Sequence, residues 1–527
     1  MRDPAAAELF SRVSPSNNDQ RTGAQYLLTE QVHYCRSRLM NDWQINALFW
    51  AIIAISPVLA ITFLVRHYFG AGLLNFTPAW SDEIDYWHQV ATFRGVGFAG
   101  GVYGVDEAEA KFPFLRFGSH GPAFPMIMAG ISVIAGWRPF SGLLINLAVM
   151  GAAILGYLAL IRAGWVRATL MGALVLTFWP VMLYLTTTMQ ESIHHGLAII
   201  LAGVFFLLIR GGPNTSRTLF AGGIFLLTLA SLLRPTWALL FVPLFFLRGA
   251  TLNGRQLVGA VLKGSLISIA AFRFFSVVST PYPNFYSQLI ELTARSPLSG
   301  AKLLISHFWI NAQGLVAGNW LELGLRATLL AIVVAAVVIV VRHRQDRGTD
   351  HHTGLAASVF HLLNLVPVVV LLVGLYDTSG WRDYRLLAPH VLLSALVALA
   401  RSERAIVIIA LAANLALIGA FGAAFFELHK PHFESVDPKT TALGRYITYK
   451  QGASAWENTL LIDFKNYVPG LVNVPAGVGL NLYVYGSGQP IQSRYLLITK
   501  ETARKLGLDR LRLLTTTAQG NLYLRED

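Results

Sequence analysis

Apolar runs of about 17–25 residues recur between positions 46 and 426, and a run of that length can cross a hydrocarbon core of roughly 30 Å as a helix. In lipid every backbone polar group must be satisfied within the protein, which restricts spanning structures to helices and closed barrels. Composition agrees, because 54% of the 527 residues are hydrophobic and only 13% are charged, against about 25% charge in an ordinary soluble domain. One such run could be a signal segment; about eleven of them describe a polytopic membrane protein.

The formal charge is +13, yet the basic residues fall in short loops between apolar runs. They form neither a basic domain nor an aromatic-interleaved patch, so no nucleic-acid partner is expected. The positive-inside bias is the better account. Cys35 is the single cysteine, which excludes an intramolecular disulfide and a Cys-based zinc site.

The same bias fixes a topology. Residues 1–44 are polar and read as a cytoplasmic lead-in, with an interfacial helix near 30–40. The first span covers about 45–66. A loop at 67–120 follows, the most acidic stretch of the chain, with Asp82, Glu83, Asp85, Asp106, Glu107 and Glu109. The apolar stretch 121–137 is short and carries Pro125, Gly130 and Gly136.

If that stretch dips in without crossing, spans follow at about 141–161, 168–186, 195–209, 218–233, 236–247, 257–279, 326–341, 355–375, 386–400 and 405–426. The loops with Arg162/Arg167, Arg210/Arg217, Arg248/Arg255, Arg342/Arg344/Arg347 and Arg401/Arg404 then all face the cytoplasm; if it crosses, they all move outside. The dipping topology has about eleven spans, a cytoplasmic N-terminus, and outward segments at 67–140, 280–325 and 427–527. The tail 427–527 has strand-like runs at 480–485 and 493–499, turns at 486–490 and a basic helical stretch near 502–512, which predict a small α/β domain outside the membrane.

Charge near hydrocarbon is costly and tends to be functional. In Trp80-Ser81-Asp82-Glu83-Ile84-Asp85-Tyr86-Trp87-His88, Ser81 or Asp82 can cap a helix on which Asp82, Asp85 and Tyr86 share a face. The bland alternative is a solvated interfacial helix. Glu191, the sole acid between Glu109 and Glu291, emerges on the same outer side, followed by His194 and His195. Adjacent histidines point to different helix faces, so hydrogen bonding is favoured over metal ligation.

Arg234, Arg273, Arg382 and Arg385 lie toward the outer ends of their helices. For each alone, snorkelling or anchoring suffices; together they supply cations suited to a lipid phosphate or pyrophosphate. His120 begins the dipping segment and can line the same cavity. Segment 280–325 resembles an amphipathic helix in the interface, either a lid or plain surface packing. No nucleotide-binding motif stands in a convincing context.

These pieces in this order resemble the C-type (GT-C) membrane glycosyltransferases, which include protein O-mannosyltransferases, aminoarabinose transferases and oligosaccharyltransferases. Ser81-Asp82-Glu83-Ile84-Asp85-Tyr86 is similar to the acidic motif of the first outer loop. His120-Gly121-Pro122-Ala123-Phe124-Pro125 loosely matches a Pro-containing hydrophobic stretch, Glu191 a second outer acid, and Arg234-Pro235-Thr236 a recurrent Arg/Lys-Pro-Thr step. The likeness covers roughly 45–426.

The resemblance implies a polytopic helical bundle with a transmembrane module at 45–426 and an outer C-terminal domain at 427–527. It also implies inverting transfer of a sugar from a polyprenyl-phosphate carrier to an acceptor hydroxyl of a glycan, lipid or protein. Asp82 would be the base, with Glu83 and Asp85 as alternatives, Glu191 the second acid, and the four arginines donor-phosphate ligands. Tyr86, His88, His120 and His194 would line the substrate cavity. Glu191 lacks the Asp-x-Asp arrangement of metal-using relatives, so no cofactor is firmly implied and a divalent metal is not required by the motif. Two other readings use the same residues: a flippase of a lipid-linked sugar, and a polymerase or ligase with a polyprenyl-pyrophosphate donor.

Overall fold

The computed structural model describes residues 18–108, 112–249, 254–280, 285–317, 320–343, 351–374, 381–434, 442–463, 469–484, 490–506, 511–517 and 520–526. Glu109, Arg344, Arg347 and most of the turn at 486–490 therefore lie outside the described residues, as do the side chains of Arg382 and of the interfacial stretch near 30–40. The chain divides into two compact units, Met1–Ile52 and Ile53–Asp527. The first holds the N-terminal part of helix α1, which runs Asn18–Phe69.

The helices continue as α2 Ser81–Val96, α3 Ala123–Ala135, α4 Ser141–Ile161, α5 Trp165–Thr177, α6 Trp179–Leu185, α7 Glu191–Gly211, α8 Arg217–Leu233 and α9 Phe241–Leu247. Then come α10 Gly254–Val278, α11 Phe285–Arg295, α12 Pro297–Ala317, α13 Trp320–His343, α14 His351–Gly374, α15 Ala388–Arg401, α16 Arg404–Leu415 and α17 Ile418–Phe433. Six helices among the described residues are long and apolar enough to cross a membrane, or up to eight if the bent pairs α5–α6 and α16–α17 each make one span. The expectation of about eleven full spans is thereby narrowed. Arg217–Leu233, Pro235–Leu247 and Ala388–Arg401 are apolar but short.

Breaks follow local chemistry. Pro180 opens α6, where the axis bends by 68°, because proline lacks an N–H and its ring clashes with the preceding turn. Helix α7 is the centre of the bundle, with 83% of its apolar window buried, and it packs on α4 and α15. Gly196 and Gly203 let α4 approach it: a Cβ there would press on Val149 and Leu160. By contrast, only 11% of the α10 window is buried, leaving an apolar surface suited to lipid.

The stretch 121–137 contains α3, whose 13 residues reach about 20 Å and fall short of a roughly 30 Å core. Cysteines placed singly at Val166 and Ser299, with Cys35 replaced, test the dipping topology. Membrane-impermeant maleimide applied outside should label Ser299→Cys and spare Val166→Cys. The reverse pattern would invert the site's sidedness.

A sheet has strands β1 Gly104–Val105, β2 Thr459–Asp463, β3 Gly479–Tyr483, β4 Tyr495–Ile498, β5 Leu511–Thr516 and β6 Asn521–Arg525, in the order β1-β3-β2-β4-β6-β5. The first four are parallel; β6 and β5 are antiparallel. Thus the acidic loop after α1 donates a strand to the C-terminal sheet. Gly101 is required at that junction, since a Cβ there would overlap the Asn458 carbonyl. Asp106 accepts from Val484 N at 2.7 Å, and Glu107 from Gln492 N and Ser493 N at 3.1 and 3.2 Å. These two loop acids therefore hold the sheet. The expected helix near 502–512 is shorter and earlier: α18 covers Lys500–Lys505, and from Leu511 the chain is strand β5.

Candidate functional site

Helix α2 begins with acids where its dipole favours them. Its N-cap is Trp80, and Glu83 reaches back to the N–H groups of Ala79 and Trp80 at 2.9 and 3.3 Å. The cap thus comes from Glu83 three residues in, whereas the sequence suggested Ser81 or Asp82. Turning Glu83 inward leaves Asp82, about 100° round the helix, at the mouth of a cavity of about 190 Å³ lined by Trp80, Ser81, Asp82, Tyr184, Met189, Arg385 and Leu428.

Asp82 and Glu191 meet through one guanidinium. Arg385 Nη2 donates to Asp82 Oδ2 at 2.9 Å, and its Nε lies 3.6 Å from Glu191 Oε1. Arg385 is carried by a short 3₁₀ turn, Trp381–Leu386, just before α15. Glu191 is the first residue of α7 and is almost fully buried. Arg234 Nη2 approaches its Oε1 at 3.3 Å. Arg234 reaches that point because Pro235 ends α8 and forces the residue before it into an extended conformation, φ −150° and ψ 114°.

Desolvation in the cleft works against a charged Asp82, but the charge and hydrogen bond of Arg385 outweigh it and hold the carboxyl below its usual range. Tyr86 is buried, accepts from Gln190 Nε2 at 2.8 Å, and tilts over the His120 ring at 5.4 Å. Burial first, then the charges of Glu191 and Asp82, push its phenol well up, so it stays neutral. His120 lies within the field of Asp82, Arg234, Glu191 and Arg385. One cluster therefore gathers Asp82, Tyr86, His120, Glu191, Arg234 and Arg385.

Other predicted residues sit elsewhere. Asp85 turns to Gln89 and accepts its amide at 2.7 Å. His88 is bound to Tyr103 and the Val474 carbonyl at the junction with the C-terminal sheet region. His194 accepts from Trp237 Nε1 at 3.1 Å inside the bundle. Arg273 is exposed on α10, and among the described residues no ion pair joins it to Asp82 or Glu191. Among the described residues, no group of three or more His, Cys, Asp or Glu side chains could hold a metal ion.

Sequence reasoning missed Tyr184, Met189 and Gln190, because neutral residues at a helix mouth carry no signal of their own. The one clue was that Met189 and Gln190 directly precede Glu191.

No protein-family model matches the sequence. No curated protein matches it. Among solved structures, ArnT from Cupriavidus metallidurans, crystallised with undecaprenyl phosphate, is similar at a TM-score of 0.40 and 14% identity, over 88% of this chain and 97% of that one.

Proposed function

We propose that this protein is a membrane glycosyltransferase that moves a sugar from a polyprenyl-phosphate carrier to an acceptor hydroxyl at the outer membrane surface, with inversion at the anomeric carbon. The observation that carries this reading is the bridge Asp82–Arg385–Glu191 at an open cleft, in a chain whose ordered acidic and Arg-Pro-Thr motifs resemble GT-C enzymes.

The chemistry is a displacement. The acceptor oxygen attacks the anomeric carbon, the bond from that carbon to the phosphate oxygen breaks, and polyprenyl phosphate leaves with the electron pair. Arg385 and Arg234 stabilise the developing phosphate charge. The hydroxyl proton passes to a carboxylate, for which Asp82 is the candidate. While paired with Arg385, Asp82 is a weak base; a donor phosphate that draws the guanidinium toward itself raises its basicity. Glu191 keeps both arginines at the cleft. Glu83, fully buried, is unsuited to meet an acceptor.

The test uses purified full-length protein, a polyprenyl-phospho-sugar and envelope-extract acceptors. Wild type should release polyprenyl phosphate, and Asp82→Asn should lower that release by about two to four orders of magnitude, the usual worth of a general base. Undiminished turnover in Asp82→Asn would remove the assignment. Movement of the intact lipid-linked sugar across the bilayer without carrier release would make the protein a transporter, and a pyrophosphate product would point to a polymerase or ligase.

A further inference from the structure

The inward-facing carboxylate beside Asp82 has an unusual set of partners. Glu83 is fully buried and uses both oxygens. Its Oε1 accepts from Thr188 N at 2.6 Å. Its Oε2 accepts from Ala79 N and Trp80 N and lies 2.7 Å from His432 Nε2. His432 is itself fully buried at the end of α17, stacked on Phe76 at 5.0 Å, with Trp80 edge-on at 5.2 Å. Its carbonyl accepts from Thr77 N at 3.0 Å.

Three segments far apart in sequence are thus tied at one point. The first turn of α2 carries Asp82 next to Glu83. The turn at Thr188 leads within three residues to Glu191. The third is the last turn of α17, whose Leu428 lines the same cleft. We infer that Glu83 and His432 form a positioning pair that sets where Asp82 and Glu191 stand relative to Arg385, and that neither touches the reacting atoms.

The physical case rests on satisfaction and reach. A buried carboxylate is held by its complement of donors; without His432, Glu83 keeps the N–H groups of Ala79, Trp80 and Thr188 but loses its tie to α17, so α2 and α17 are freer to shift against each other. A displacement of about 1 Å at a reacting group can cost about a hundredfold in rate. The inference rests on the glycosyltransferase reading for its kinetic arm, and a distance measurement makes it separable from that reading.

Two variants divide the ring from the hydrogen bond. His432→Phe keeps the stacking on Phe76 and loses the donor; His432→Gln keeps a donor and loses the ring. Carrier release should fall about a hundredfold in kcat for His432→Phe, with KM for the lipid donor little changed, and His432→Gln should recover most of it. In parallel, spin labels at Arg94 and Lys430, both exposed, report the separation of α2 and α17 in Cys35→Ser protein. That distribution should broaden in His432→Phe and stay narrow in His432→Gln.

If His432→Phe leaves both kcat and the distance distribution at wild-type values, the positioning role is wrong. A loss in His432→Phe that His432→Gln does not rescue would equally overturn it, since restoring a donor would then restore nothing and the hydrogen bond would not be what sets the position. If wild type releases no carrier lipid while the distances behave as stated, the reaction assigned above fails and the pair stands.

Discussion

Arg385→Met is expected to reduce sugar transfer by at least about a hundredfold, in line with the loss of one preorganised charge-stabilising group. Among the described residues the guanidinium is the one cation that pairs with both acids, 2.9 Å from Asp82 and 3.6 Å from Glu191. On the proposed mechanism its removal takes a cation from the leaving phosphate and leaves the Asp82 carboxylate uncompensated, to repel an anionic donor. Stability should suffer less. Breaking a buried ion pair costs about 3–5 kcal/mol when the survivor is stranded, but Glu191 keeps Arg234 at 3.3 Å, and the Asp82 side chain is 47% exposed, so solvent screens it.

Arg385→Lys should be intermediate, because an ammonium restores the charge without the planar fork that spans two carboxylates. Carrier release alongside thermal unfolding in detergent checks both statements. A large drop in melting temperature with near-normal turnover among surviving molecules would show that Arg385 is a structural bridge with no part in the reaction.

The residues that were legible beforehand are those whose charge is expensive where it stands. Glu191 stands out because an acid at the mouth of an apolar helix has few structural reasons to exist, and Arg234 because a following proline marks the helix end. What stayed hidden was which way each side chain turns. Asp82, Glu83 and Asp85 occupy one helical turn, and their three faces differ: one meets the cleft, one caps the helix from within, and one bonds to Gln89. No spacing rule distinguishes them until the helix is docked. His432 was invisible because its role depends on a partner 349 residues away in the chain. The two-residue strand β1 has no alternation to read, so the tie between the first loop and the C-terminal sheet became apparent only in three dimensions.

That tie is expected to weaken in acid, and His88 is the reason. Its Nε2–H donates to the Val474 carbonyl at 2.9 Å, and its Nδ1 faces the Tyr103 hydroxyl at 2.7 Å. Tyr103 lies 2.7 Å from Thr92 Oγ1, which in turn accepts from Gly477 N at 2.9 Å. Tyr103 donates to Thr92, and among the described residues no carboxylate is hydrogen-bonded to the imidazole, so a second ring proton would bring a buried charge to this junction. Burial pushes the His88 pKa from 6.5 down to about 4, against a smaller upward pull from the Val474 carbonyl. The unfolded histidine therefore takes up a proton that the folded one refuses. The contribution to stability is complete above pH 6.5 and is lost as pH falls toward about 4. The difference is worth roughly 3 kcal/mol. Thermal unfolding followed between pH 7 and pH 4 should show this loss in wild type. His88→Gln, whose amide can serve both the Val474 carbonyl and the Tyr103 hydroxyl, should lack this component while retaining the acid sensitivity of other groups. Identical pH curves for the two proteins would mean that the junction opens before His88 is protonated, and that another contact governs the attachment of the C-terminal sheet region.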